Sequence, residues 1–118
     1  MNRILGMLGM AQRCGRLVTG EAPCRAAVRS GAACLVLVDE GASAGSRKTL
    51  GDACAHYGVP MGLLPPGELG QATGRPGRMA AAVTDASFAQ RLMSLLDEQS
   101  LIKPRETGND PTNDRAGG

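Results

Sequence analysis

Residues 34–38 read Cys-Leu-Val-Leu-Val, a continuous apolar run that ends at Asp39 and Glu40. A strand with one face in solvent would alternate apolar and polar side chains, so an unbroken run predicts a strand that is covered on both faces. Such a strand lies inside a sheet, with helices packed above and below it. We therefore predict that residues 34–38 form the central strand of an α/β domain.

Helical patterns precede and follow this strand. Apolar residues repeat at helical spacing over residues 2–14, and the turn at residues 19–21 (Thr-Gly-Glu) supplies a cap and an acidic first residue for a second helix. Asp85 is expected to cap the last helix. Glycines follow four of the helical patterns, at the position of a left-handed cap; they are Gly15, Gly31, Gly58 and Gly74.

Three further strands complete the pattern. Leu17 and Val18 form a very short strand, residues 59–61 open another, and residues 79–83 are expected to form a buried one. Pro60 confines its strand to an edge or to a first position, because proline cannot donate to the ladder of hydrogen bonds. The alternation of strands and helices predicts a three-layer α/β/α sandwich.

The composition limits the possible functions. The chain has 118 residues, enough for one domain with a modest core, and its two aromatic residues disfavour modules that stack bases on several exposed rings. The formal net charge is +2, and all of the basic residues are arginine except Lys48 and Lys103. Arginine suits phosphate because its planar fork binds oxyanions at two points, although an arginine-rich solvated surface is also common.

Residues 1–100 contain the folding patterns, whereas residues 101–118 are mostly Pro, Gly, Asn, Thr and charged residues. We expect a disordered tail there, because it has too few apolar side chains to order itself. The cysteines form no C-x-x-C pair, and Cys24, Cys34 and Cys54 lie in apolar patterns as buried residues. With no secretory signal and no apolar run that could span a bilayer, we predict a cytoplasmic protein without a membrane segment.

Residues 41–45 read Gly-Ala-Ser-Ala-Gly, the G-x-S-x-G pattern of a hydrolase nucleophile elbow. The elbow needs a histidine base from a distant loop, but the one histidine, His56, lies late in the helix that begins after Ser43. That helix would hold the two residues roughly 15 Å apart. We therefore expect Ser43 to cap a helix, and we predict no enzymatic activity, no cofactor and no metal site.

Two segments have residues that suit phosphate. At the turn of residues 19–21, free amides and the dipole of the following helix favour an anion, with Arg16 and Arg25 nearby in sequence. We expect Glu21 to satisfy the helix end or to accept from a base amino group rather than to meet a phosphate. The second segment, Gly-Arg-Pro-Gly-Arg at residues 74–78, places two guanidinium groups before a buried strand. Considered alone, it can equally be a solvated connector.

Several stretches together resemble a known family: LVTGEAPCRAAVRSGAACLVLVDEGAS, RKTL, YGVP, LGQATGRP and AVTDASFAQRL. In their order and spacing they are similar to the bacterial branch of the kink-turn-binding ribosomal protein family, which includes large-subunit protein seven-Ae and thirty-e-like members. The resemblance covers about residues 2–97. It implies a three-layer α/β/α sandwich with a four-stranded mixed sheet.

The resemblance also implies a function: a cytoplasmic, non-enzymatic, ribosome-associated protein that binds structured RNA, with the ribosome or its assembly factors as partners. The family grips a bend in RNA with three loops at one end of the sheet, and the last loop covers a base that is turned outward. The residues that these loops offer here are Gly20, Glu21, Arg25, Glu40, Arg47, Lys48, Gly74, Arg75 and Arg78.

Archaeal members of the family present Asn, Glu and Lys where this chain has Ala22, Pro23 and Ala26, and an Asp where it has Gly41. The base-reading side chains of the second helix are therefore absent, although its arginines can contact phosphates, which position an RNA without specifying it. The alternative is a protein-interaction module on the same fold. RNA binding through phosphates weakens steeply with salt, whereas an apolar protein interface changes little.

Overall fold

A computed structural model describes residues 3–98, which form five helices and four strands. In chain order these elements are α1 (Arg3–Arg13), β1 (Leu17–Thr19), α2 (Glu21–Ser30), β2 (Leu35–Asp39), α3 (Ala44–Tyr57), β3 (Met61–Leu64), α4 (Glu68–Thr73), β4 (Ala80–Val83) and α5 (Ala86–Glu98). The predicted tail, residues 101–118, lies outside the described residues. Within residues 3–98, no helix combines the length and the apolar character that crossing a membrane requires.

The strands form one mixed sheet in the order β1-β4-β2-β3. β4 pairs antiparallel with both β1 and β2, whereas β3 runs parallel to β2. The apolar run at residues 34–38 therefore has a neighbouring strand on each side, which confirms its predicted central position. β3 is an edge strand that begins just after Pro60, so the missing amide of the proline interrupts no ladder.

Helices cover both faces of the sheet. Leu35 and Leu37, on one face of β2, pack with residues of α1, α4 and α5, whereas Val36 and Val38, on the other face, pack with residues of α2 and α3. All four side chains are fully buried, since successive residues of a strand point to opposite faces and both faces are covered. The prediction of a three-layer α/β/α sandwich with a four-stranded mixed sheet is confirmed.

The turn at residues 19–21 supplies the N-cap of α2, as predicted; the cap residue is Gly20, which has no side chain to bond the helix start. One local prediction is wrong. Met79 is 41% exposed, so the buried strand that was expected over residues 79–83 begins at Ala80 instead. The carbonyl of Met79 still accepts from the amide of Asp39, but its side chain lies at the end of the sheet and reaches the surface.

The cysteines are free thiols in different environments. Cys24 and Cys54 are buried between α2 and α3, as predicted, whereas Cys34 is only half-buried and Cys14 is exposed. Burial raises the pKa of the Cys24 thiol from its ordinary value of 9.0 to about 12, and the nearby Cys54 adds to this effect. Burial also raises the pKa of Cys54, to about 11. Both thiols therefore stay protonated and behave as small apolar side chains.

We expect the free energy of unfolding to fall as the pH rises from about 9 towards 12. The core disfavours the thiolates of Cys24 and Cys54, whereas the unfolded chain does not. The two thiols therefore contribute their full stability at pH values below the pKa of a cysteine in the unfolded chain. That contribution is lost as the pH rises from there through the raised pKa values of the folded protein. Urea unfolding at pH values below and above 9.0 measures the decline. Cys14→Ala should leave the decline unchanged, whereas Cys24→Ala/Cys54→Ala should make it shallower. Equal declines in all three proteins would contradict the prediction.

Candidate functional site

Three connections meet at one end of the sheet. The amide of Gly20, after β1, donates to the carbonyl of Ala80 at 2.9 Å. The amide of Asp39, at the end of β2, donates to the carbonyl of Met79 at 2.9 Å. β4 is the last strand in the chain but lies between β1 and β2, so the loop before it contacts both other loops. We call this continuous surface the loop surface; it comprises residues 19–21, 39–48 and 74–79.

Gly20 caps the start of α2 with a φ of 103°, a backbone angle that residues with a side chain rarely adopt. An ideal Cβ at this position would lie 3.3 Å from Nη1 of Arg78 and 3.3 Å from Cδ of Pro23. The missing side chain of Gly20 therefore lets the guanidinium group of Arg78 lie directly against the start of α2. In this way the structure brings together two of the predicted site residues that are far apart in sequence.

Glu21 is the first residue of α2 and is half-buried. Its Oε1 accepts from the hydroxyl of Ser46, in the first turn of α3, at 2.7 Å. The carboxylate therefore links two helices, which the sequence did not predict. Pro23 has no amide, so the backbone donors at the helix start are those of Glu21 and Ala22.

The two acids at the end of β2 have different roles. Asp39 is 2% exposed, and its carboxylate accepts from the amide of Gly41 at 2.6 Å and from the amide of Gly67 at 2.8 Å. Glu40 is exposed. The two side chains point in different directions, as expected for neighbours in a strand. Asp39 joins the β2–α3 loop to the start of α4, and Glu40 is the acid that faces solvent.

Ser43 begins α3. Its Oγ accepts from the amide of Ser46 at 3.1 Å, so the predicted role of Ser43 as a helix cap is confirmed. His56 lies in the last turn of the same helix, edge-on to Tyr57 with 4.7 Å between the ring centroids. The helix separates the backbones of Ser43 and His56 by about 20 Å. The G-x-S-x-G segment is therefore a loop and cap in which these two residues cannot act together.

Arg47 and Lys48 lie in the first two turns of α3. Arg47 is half-buried and makes no ion pair with any residue of 3–98, and its Nε has no hydrogen-bond partner in that range. Lys48 contacts Oδ2 of Asp52 at 3.1 Å along the exposed side of the helix. Such an exposed pair contributes only about 0.3–0.5 kcal/mol, so Lys48 can exchange it for a stronger anionic ligand.

The α4–β4 loop packs against α4 because Gly70 has no side chain. An ideal Cβ on Gly70 would lie 3.2 Å from the carbonyl oxygen of Arg75 and 3.2 Å from Cα of Pro76. The amide of Arg75 donates to the carbonyl of Gly70 at 3.0 Å, and Gly74 ends the helix with φ 68°. Backbone hydrogen bonds thus hold the loop, while the side chains of Arg75 and Arg78 are exposed.

A groove of about 420 Å³ lies between α4 and this loop. Glycine backbone forms much of its wall; the lining residues are Asp39, Gly67, Gly70, Gln71, Gly74, Pro76, Gly77, Arg78 and Met79. The exposed thioether of Met79 supplies an apolar surface directly beside the cationic Arg78. The groove can therefore accept a flat apolar group whose neighbour in the ligand is an anion.

Four arginines in or beside the loop surface make no ion pair within residues 3–98. They are Arg25, Arg47, Arg75 and Arg78. Arg25 lies one turn into α2, at the side of the loop surface. Arg16 does not belong to this group. It precedes β1, at the opposite end of that strand from Gly20, and its Nε lies 3.8 Å from Oδ2 of Asp85. Arg16 is near the turn in sequence but lies at the other end of β1 in the structure.

Three residues of the site were not predicted: Ser46, Gly70 and Met79. Ser46 acts through a contact with Glu21, 25 residues away, which no local pattern reports. Gly70 acts by leaving room for the loop that follows its own helix. Met79 had one local signal, because it follows the arginine loop directly and precedes the first alanine of β4. For metals, no group of three His, Cys, Asp or Glu residues within the described part of the chain could hold an ion.

The chain is similar to two bacterial proteins called RNA-binding protein YlxQ. The Bacillus subtilis (strain 168) protein is 39% identical over 92 residues, which cover 77% of this chain and 92% of the relative. The Enterococcus faecium protein is 31% identical over 96 residues, which cover 80% of this chain and 92% of the relative. A comparison with family models finds no match.

Solved structures share the fold. A protein with unknown function from Bacillus halodurans has a TM-score of 0.80 and 34% identity to this chain, and the match covers 82% of this chain and 99% of that one. The Giardia lamblia 15.5kD RNA binding protein has a TM-score of 0.64 at 20% identity, and the match covers 77% of this chain and 85% of that one. The name of the relatives from Bacillus subtilis and Enterococcus faecium agrees with the predicted kinship to RNA-binding proteins, whereas kink-turn recognition and ribosome association stay predictions. With two relatives above 30% identity across most of both chains, this protein belongs to the family of the bacterial RNA-binding proteins YlxQ.

Proposed function

We propose that this protein binds structured RNA through the loop surface and catalyses no reaction. The observation on which this rests is the convergence of three loops whose arginines make no ion pair within residues 3–98, with Arg78 held against Gly20. Guanidinium groups bind phosphate oxygens at two points and are suited to a polyanion. The names of the relatives from Bacillus subtilis and Enterococcus faecium support the same conclusion.

The RNA that suits this site is bent, as in a kink-turn. Three separate loops can contact both strands at a bend at once, whereas a straight duplex presents them with one regular surface. The groove beside Met79 offers about 420 Å³ for a base that is turned out of the stack. With two aromatic residues in the chain, recognition depends on shape and backbone contacts rather than on stacking against several rings.

The absence of catalysis belongs to the same proposal. Ser43, in the one hydrolase-like motif, is engaged as a helix cap, and His56 lies at the other end of that helix. The resemblance noted in the sequence extends the proposal to the cytoplasm and to ribosomal RNA or a ribosome-assembly particle as the partner. The alternative function, a protein-interaction module on the same fold, is separated from RNA binding by the experiment below.

Binding to a kink-turn hairpin and to a straight duplex of equal length, each at low and at physiological salt, tests the proposal. We expect the hairpin to bind about tenfold or more tightly than the duplex, a difference of about 1.4 kcal/mol or more, because its extruded base contacts the groove beside Met79 and the duplex has no such base. Both complexes should weaken steeply as the salt concentration rises, since the arginine contacts displace counterions.

Other outcomes would contradict particular parts of the proposal. Equal and salt-dependent binding of the two RNAs would remove the preference for a bend and leave a general RNA-binding protein. No binding to either RNA at low salt would overturn the proposal and favour the protein-interaction alternative. An interface of that kind, with an apolar core, should change little with salt.

A further inference from the structure

The sheet has two edge strands, and they are protected differently. β1 lies between charged residues, since Arg16 precedes it and Glu21 begins the helix after it, and both α1 and α2 pack beside it. β3 lacks charged neighbours in the chain, because residues 57–67 contain no Asp, Glu, Lys or Arg. Charged side chains at a sheet edge normally prevent its free backbone groups from pairing with another chain. β3 is therefore the edge at which a further strand can pair.

The hydrogen bonds to β2 fix which backbone groups of β3 point outward. The carbonyls of Pro60 and Leu64 accept from amides of β2 and the residue after it, at 3.0 and 2.8 Å. Alternate residues of a strand turn their backbone groups to the same side, so Gly62 also faces β2. The amide and carbonyl groups of Met61 and Leu63 therefore point to the outer edge of the sheet. Within residues 3–98, no strand pairs with this edge.

The side chains along this edge are apolar and only partly covered. Met61 and Leu63 are half-buried and pack at the margin of the core that includes α2 and α3. Tyr57, at the end of α3 and shortly before the strand, is 48% exposed. Pro60 and Pro65 flank the strand and have no amide, so they confine the outward donors to a window of four residues. A partner strand thus meets a short apolar window with free backbone groups.

We infer that the outer edge of β3 pairs with the same edge of a second copy of this chain, antiparallel and about a two-fold axis. In that arrangement Met61 lies opposite Leu63 of the partner subunit, and the symmetry repeats this pair. Residues that face each other in this way exchange both backbone hydrogen bonds, so all outward groups of the window find partners. The flanking prolines restrict both copies to the same window, which fixes one register.

The distribution of charge favours a second copy as the occupant. The window is uncharged, so two copies meet there without repulsion, whereas arginines without an ion pair within residues 3–98 surround the loop surface. An acidic or basic peptide would find no counter-charge at the window. Because a short edge buries less than the 1,200–2,000 Å² or so of a standard interface, the dimer is weak, with a dissociation constant on the order of 10–100 µM.

This dimer does not depend on the proposed function. The outer edge of β3 contains no residue of the loop surface. Antiparallel pairing places the two loop surfaces at opposite ends of the joined sheet, because the paired strands run in opposite directions. Each copy therefore keeps its loop surface accessible.

Sedimentation equilibrium of the full chain, at concentrations from about 1 µM to about 1 mM, tests the inference. The parent should show a reversible monomer–dimer equilibrium. Leu63→Lys places a charge in the middle of the window and should weaken dimerisation at least about tenfold. Met10→Lys adds the same charge to α1, at a methionine that is 47% exposed, and should dimerise like the parent. Urea unfolding shows whether each variant is folded.

Amide hydrogen exchange of the unsubstituted protein gives a readout that no substitution can disturb. The amide of Leu63 points outward and should exchange rapidly in dilute solution, where the chain is monomeric. It should become protected as the concentration rises, because the partner strand then accepts from it. The amide of Leu64 faces β2 and should be protected at every concentration.

Several results would overturn the inference. They are a parent that stays monomeric up to about 1 mM, a dimer of undiminished affinity in Leu63→Lys, and equal weakening by Met10→Lys. Exchange of the Leu63 amide that does not change with concentration would do the same, whether it is fast throughout or slow throughout. RNA binding separates this inference from the proposed function: Leu63→Lys should bind the kink-turn hairpin like Met10→Lys. A parent that dimerises but binds no RNA would overturn only the proposed function.

Discussion

Replacing Arg75 and Arg78 together with glutamine should weaken RNA binding by about a hundredfold at low salt. Both side chains are exposed, and neither makes an ion pair within residues 3–98. A hydrogen bond to a charged group contributes about 1.5–3 kcal/mol, so losing two such contacts costs about 3 kcal/mol, or about two powers of ten in the dissociation constant. Titration of a labelled kink-turn hairpin measures the change, and the salt slope should fall by about two.

The same variant should keep its fold. Exposed substitutions usually change the free energy of unfolding by no more than about 0.5 kcal/mol, and the loop is held by the backbone hydrogen bonds of Gly70 and Arg75. Arg13→Gln/Arg91→Gln, with the same net charge, separates a local contact from general attraction to RNA. If the two variants lose equal affinity, net charge and not the loop surface dominates binding.

Asp39→Ala should have the largest effect on stability, a loss of roughly 3–5 kcal/mol in the free energy of unfolding. The buried carboxylate accepts from two backbone amides, those of Gly41 and Gly67. Removing the carboxylate deletes two hydrogen bonds to a charged acceptor and leaves both amides without that acceptor. Each lost hydrogen bond costs about 1.5–3 kcal/mol. Because domains of this size are stable by only about 5–15 kcal/mol, urea unfolding should show a large shift of the midpoint.

Two matched substitutions make this prediction sharp. Glu40→Ala removes the neighbouring, exposed acid and should change the free energy of unfolding by no more than about 0.5 kcal/mol. Asp39→Asn keeps one acceptor oxygen but turns an amide group towards the other donor, so its loss should be intermediate. Equal stabilities of the Asp39→Ala and Glu40→Ala proteins would show that the two amides find other partners.

Much of the fold can be predicted from local features of the chain. The apolar run at residues 34–38 predicts a strand covered on both faces, and this pattern follows from the alternation of side chains along a strand. Glycines end the helices because a left-handed residue is cheapest without a side chain, and Gly31, Gly58 and Gly74 all occupy such positions. Ser43 and Asp85 cap helices by accepting from nearby amides.

The site was predictable only in part. The glycine turns at residues 19–21 and 74–78 and the end of β2 were predicted as parts of the candidate site, because glycine turns near cationic residues in the chain are visible in sequence. The exposure of Met79 was missed, since an apolar residue before four small apolar ones reads as part of their strand. Asp39 and Glu40 are two acids side by side in the sequence. One is buried and bonded to Gly67, a partner 28 residues away, which no local pattern shows.

The sequence by itself determined the kind and order of the helices and strands of this protein and which of their faces are apolar, whereas the starts of β2 and β4 differ by one residue from the predicted ones. These properties depend on spacing over a few residues. Only the tertiary structure decided which loops touch. The strand order β1-β4-β2-β3 inserts the last strand between the first two, and this places Arg78 against Gly20 and Met79 beside Asp39. Contacts between distant segments depend on how the layers assemble, and the candidate RNA-binding surface consists of such contacts.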